Sequence, residues 1–180
     1  MSMNGKDLAK ALKDALGGMD AGKAGDQIRN KYQSTIKEYL VNNMEIHLAY
    51  AGMIPGTPPV PDPEPDFKGK LTFLSFNFLP AATKELFDFQ LGLAIKGGMV
   101  SNGETSNGIT FAPVALGPAG IITTIFPPFD PKSDSVDSFM ESYCSSIINC
   151  IKTSFVNPVP TFGARSTAGS TGNVSMTSIL

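Results

Sequence analysis

The stretch Ile54-Pro55-Gly56-Thr57-Pro58-Pro59-Val60-Pro61-Asp62-Pro63-Glu64-Pro65 decides how this chain divides, because it holds six prolines in twelve residues. Proline has no amide proton and a fixed φ, so such a stretch is expected to form neither a helix nor a central strand. The expectation is an extended, polyproline-like connector of roughly 30–35 Å; a ligand for proline-binding modules is the competing reading. Asp62, Glu64 and Asp66 alternate through it. They lack the loop pattern and closing glutamate of a calcium-binding hand, so solvated carboxylates are expected.

Upstream of the prolines the pattern is helical. Residues 4–16 place Leu8, Ala11, Leu12 and Ala15 on one side, and Gly17 and Gly18 stop the helix. Residues 17–25 hold four glycines and read as a hinge. Their echo of a phosphate-binding loop fails, because the run ends Gly22-Lys23-Ala24 and follows a helix rather than a strand. A second helix is capped by Asp26 and carries Ile28, Tyr32, Ile36, Tyr39, Leu40, Asn43 and His47 at spacings of three and four. Continued to Ala51 and stopped by Gly52, it would be about 38 Å long. Its apolar stripe needs a partner surface, which makes Tyr32, Ile36 and Tyr39 candidate interface residues.

Downstream, residues 70–78 are apolar on both faces and fit either a short strand or a helical lead-in. Pro80 opens a helix to Lys96, with Leu86, Phe87, Gln90, Leu91, Ala94 and Ile95 at helical spacing and Gly97 and Gly98 as its stop. Residues 101–108 repeat Ser-Asn-Gly turn chemistry, and extended pieces follow at 109–114 and 120–126. Asp130 and Pro131 open the last helix as cap and first residue. Val136, Phe139, Met140, Tyr143, Ile147, Cys150, Ile151 and Phe155 form its stripe, and Asn157-Pro158 ends it. Tyr143, Ile147 and Ile151 are expected in the core against Phe87, Leu91 and Ile95.

From Val159 onward the composition changes. The last 22 residues hold eight Ser or Thr, three Gly and a single charge, Arg165. Such a segment buries too little apolar area to order itself alone. Its end still alternates, so Val174, Met176, Ile179 and Leu180 are expected to dock as an added strand on a neighbouring chain.

Composition bounds the function. The chain has 180 residues, 14 Lys or Arg against 16 Asp or Glu, and a net charge of −2. The basic residues are scattered among acidic ones, which argues against direct nucleic-acid binding. No basic region followed by an apolar run marks a secretory signal, and no stretch reaches the roughly 18 apolar residues of a membrane span. Cys144 and Cys150 lie six residues apart in one helix. They are offset by about 600° and 9 Å, so they cannot bridge each other. Buried thiols and an intermolecular bridge both remain open.

Catalytic chemistry is sparse. The single histidine, His47, reads as a structural residue. One His and two separated Cys build no zinc site, and no nucleophile elbow is present. No enzyme activity, metal or cofactor is expected.

The expected fold class is α+β: a helical N-terminal arm, a small mixed core of three main helices and a few short strands, and an extended C-terminal tail. The divisions fall at residues 1–52, 53–68, 69–157 and 158–180. This format, with the helix over residues 26–51, the spacer over 52–65, an apolar core and the polar tail over 161–180, resembles small virion structural proteins of tailed bacteriophages. The resemblance implies a subunit of a tail, neck, baseplate or capsid that packs with copies of itself and other structural proteins, assembled in the host cytoplasm. An adaptor or chaperone-like module that orders its tail on a partner protein is the alternative.

Overall fold

A computed structural model of the chain describes residues 2–17, 25–77, 79, 83–117 and 135–180. In chain order the elements are α1 (Gly5–Leu16), α2 (Gly25–Asn43), β1 (Ile46–Ile54), β2 (Val60–Phe73), α3 (Lys84–Lys96), β3 (Gly98–Asn102), β4 (Ile109–Phe111), β5 (Val114–Ala115), α4 (Val136–Ser154), β6 (Thr161–Arg165) and β7 (Ser170–Ile179). The protein is mixed α+β. All seven strands form one antiparallel sheet in the order β4-β6-β7-β1-β2-β3-β5.

Pro61, Pro63 and Pro65 lie within a strand, which corrects the spacer expected at residues 53–68. The reason is their spacing. In an antiparallel ladder, alternate residues turn their amides to opposite neighbours. The three prolines share one parity, so their missing donors all fall on one side of β2. β1 runs along the other side, with Gly52 opposite Asp62 and Tyr50 opposite Glu64. β3 pairs only with Gly69–Phe73. The proline half of β2 is therefore an edge, where a missing N–H costs no ladder bond.

The long helix also needs correction. α2 ends at Asn43, whose side-chain amide donates to the Tyr39 carbonyl at 2.9 Å. Beyond it Ile46, Leu48 and Tyr50 point inward at a period of two, while His47, Ala49 and Ala51 point outward. Residues 158–180 are likewise not a free arm. β7 lies between β6 and β1, with Val174 opposite Tyr50. Strands from all four expected divisions share the sheet, so the chain does not separate at those boundaries.

The shorter helices follow the sequence more closely. Asn4 caps α1, its side chain accepting from the Asp7 N–H at 2.8 Å. Leu8 and Leu12 are buried. Thr83 caps α3, and the expected opening at Pro80 lies outside the described residues. Ser135 caps α4; Asp130 and Pro131 also lie outside the described residues, as does the extended piece at 120–126. Tyr143, Ile147 and Ile151 are buried as expected. The principal helical partner of α4 is α1 rather than α3. Gly5 permits this, because a Cβ there would sit 2.6 Å from the Ser145 Cα. The second Asn-Gly pair, Asn107 and Gly108, takes left-handed backbone at φ 51 and 75, and the Ile109 N–H closes the turn on the Ser106 carbonyl at 2.8 Å.

One core joins the helices to the inner face of the sheet. The sheet curls tightly where Gly163, Gly172 and Gly52 stand in register across β6, β7 and β1. A Cβ on Gly172 would lie 2.0 Å from the Ala51 carbonyl oxygen, and one on Gly52 would strike the Tyr50 ring at 2.4 Å. Replacing Gly172 by Ala should therefore cost about 1–3 kcal/mol in a urea unfolding measurement. An unchanged midpoint would show that this row does not set the curl.

Candidate functional site

Curling brings side chains from four strands into one partly buried polar cluster. In a flat sheet β6 and β2 would be three strand spacings, about 14 Å, apart. Here the Arg165 guanidinium on β6 reaches both carboxylates of β2, at 2.8 Å to Asp62 Oδ1 and 3.0 Å to Glu64 Oε2. The three side chains are 14, 13 and 21 % exposed. Ser170, opposite Arg165 on β7, donates its hydroxyl proton to the second Asp62 oxygen. The Tyr50 hydroxyl lies 3.0 Å from Ser170 Oγ, and with the serine proton already committed the tyrosine is the donor. The guanidinium also sits 5.7 Å from the Tyr50 ring centroid. Both oxygens of Asp62 are engaged, so neither serves as a ready general base. The cluster fastens the ends of the curl together.

A second polar pairing lies on the outer face. His47 Nδ1 is 2.7 Å from Asp66 Oδ1, and Lys68 Nζ is 2.6 Å from Glu45 Oε2. The hydrogen bond from Lys68 holds the Glu45 carboxyl down at about 2. His47 thus belongs to a cross-strand pair, not to the inner side of a helix.

Of the residues expected at an interface, all but Leu180 face this chain's own interior. Val174, Met176 and Ile179 are 1, 7 and 2 % exposed, and Ile36 is fully buried. Leu180 is exposed, but its backbone pairs with Glu45 in both directions. The Tyr32 hydroxyl lies 3.3 Å from that of Tyr143, and its ring meets Phe87 edge-on. The Tyr39 hydroxyl donates to the Asn4 carbonyl at 2.8 Å and accepts from the Asn4 N–H at 2.9 Å, tying α2 to the start of α1. The alternation of the last strand does require an edge to pair with, but β1 and β6 of the same chain supply both. Burial pushes the Cys144 thiol up to about 12, so it is inert. Neither cysteine forms a disulfide.

Two other surfaces present apolar side chains to solvent. On the outer face of the sheet, Phe162, Ala164, Ala51, Met53, Pro61 and Pro63 occupy neighbouring register positions, interrupted only by Thr171 and Asn173. None is charged; Phe162 is 65 % and Met53 44 % exposed. On α3, Leu86, Phe89 and Leu93 are 43, 51 and 49 % exposed. Leu79, 73 % exposed, lies beside them, its N–H donating to the Gln90 side chain. α3 is apolar on nearly every side, a pattern that marks a helix covered all round. That signal stands in the sequence. The outer sheet face was not legible, because it depends on register between strands.

Compared with known proteins, the chain matches no family model, no curated protein and no solved structure. Among the described residues, no group of three metal-ligating side chains converges and no helix is long and apolar enough to cross a membrane.

Proposed function

We propose that the chain is a structural subunit of a larger homo-oligomeric particle, a component of a bacteriophage virion assembled in the host cytoplasm. The observation that supports this reading is the pair of separate, apolar faces. The outer sheet patch includes Pro61 and Pro63 near the start of β2, whereas α3 follows the end of β2 at Phe73. The patch lies toward the first end of β2, while α3 leads into β3, whose Gly98 pairs with Phe73 at the other end of the strand. Interface centres are depleted of charge and rich in aromatic and Met side chains, as the outer sheet patch is. A subunit with one such patch can dimerise, but rings and filaments need two different ones. The carboxylates and the histidine are engaged in pairs across strands, which favours a structural role over a catalytic one.

Light scattering coupled to size-exclusion chromatography tests the reading. An assembly larger than a dimer, growing with protein concentration and visible as a ring or filament by electron microscopy, is the expected result. A monomer at every concentration would overturn it in favour of an adaptor acting on another protein. Mass spectrometry of purified particles should find this chain in fixed proportion to the other structural proteins.

A further inference from the structure

We propose that α3 is a two-fold contact between copies of this chain, packed antiparallel on the α3 of a second copy. The contact rests on the homo-oligomer reading above, and adds to it the surface and symmetry of one interface. The exposed stripe of α3 runs Glu85, Phe89, Leu93, Lys96, at steps of four, four and three, with Leu86 beside it. Its two ends carry opposite charges and its centre none. Such a stripe is complementary to itself when turned end for end. With the axis passing between positions 89 and 90, Leu86 meets Leu93 of the second copy twice and the two Phe89 rings meet at the axis. Glu85 then stands within two residues, about 3 Å of helical rise, of Lys96 of the second copy. The helix dipoles oppose as well, setting each N-terminus beside a C-terminus.

Other occupants fit less well. A membrane-surface helix has a basic, solvated face opposite its apolar one. On α3 the opposite side carries Leu91, Ala94 and Ile95, which are buried in the core. An added β-strand needs an edge, and this surface is a helix. Area sets the strength. The exposed portions of Leu79, Leu86, Phe89 and Leu93 amount to about two whole large side chains, on the order of 400 Å². Two copies would bury about 800 Å², below the roughly 1,000 Å² that a stable contact clears. The contact is therefore weak alone and effective when a second interface holds the same copies together.

Sedimentation equilibrium of the full chain, with Phe89→Glu, Glu85→Lys, Lys96→Glu and the double charge reversal, tests this. Phe89→Glu should weaken two-fold association at least tenfold while the melting temperature stays within a few degrees. Each single reversal sets like charges together and should weaken association several-fold. Glu85→Lys combined with Lys96→Glu restores opposite charges across the axis and should recover most of the loss. That recovery does not arise from helix stability, because both reversals oppose the helix dipole. If the wild-type chain assembles but Phe89→Glu and the reversals leave the assembly unchanged, the α3 contact is wrong and the homo-oligomer reading stands. If the wild-type chain stays monomeric throughout, both fail together.

Discussion

Deletion of residues 161–180 should leave a chain with no cooperative thermal transition by circular dichroism. The deletion removes β6 and β7, and β7 is central, with β1 on one side and β6 on the other. Along β1, eight register pairs from Ile46 to Met53 lose their partners. The buried side chains of Val174, Met176 and Ile179 go with them. Truncating one such side chain typically costs about 2–5 kcal/mol. Three of them, together with an exposed ladder, exceed the roughly 5–15 kcal/mol by which a domain of this kind is stable. The competing expectation, in which the tail reaches a neighbouring chain, gives the opposite result: a melting curve close to the wild type and a loss of oligomer. That result would mean that the β1–β7 pairing forms between chains.

Replacing Arg165 by Met should destabilise the protein by about 3–5 kcal/mol, measured by urea unfolding at neutral pH. Methionine keeps much of the volume over the Tyr50 ring but leaves Asp62 and Glu64 facing each other in a mostly enclosed site. Breaking one side of such a pair costs more than the pair contributes, because the remaining charges stay desolvated. Adding Asp62→Asn and Glu64→Gln to Arg165→Met should therefore recover most of the stability. A loss that persists in the triple variant would assign the effect to the guanidinium's packing on the tyrosine rather than to charge.

Elements whose pattern depends on nearby residues were readable from the sequence. α1 has its Asn4 cap and the Leu8–Leu12 spacing, and the buried face of α4 follows from Tyr143, Ile147 and Ile151. Residues 44–51 were not, because they satisfy two periods at once. Tyr39, Leu40, Asn43 and His47 continue a helical spacing, while Ile46, Leu48 and Tyr50 alternate. Ala49 and Ala51, favourable in helices, occupy the outward positions where a strand tolerates them. The prolines of β2 misled for a different reason. Their number excludes a strand paired on both sides, but their parity permits one paired on a single side. The polar cluster was beyond reach, since Arg165 and Asp62 lie 103 residues apart and meet only through the curl. Nothing local in the sequence marks Gly163, Gly172 and Gly52 as a row; that follows from register alone.

In the proposed assembly, the one-sided prolines of β2 carry a consequence for how copies of this chain meet. A long exposed strand edge acts as a template: each chain that pairs with it offers a fresh edge to the next, and growth has no natural end. Pro61, Pro63 and Pro65 act there as terminators do in a polymerisation, because an incoming strand finds no donors to hold. The strands at the ends of the sheet, β4 and β5, are three and two residues long and offer little more. In the proposed assembly, contact between copies through the described residues is then left to side chains, one residue at a time. Its strength is graded by substitution and its geometry is set by shape, so a misplaced copy can leave before the next one arrives.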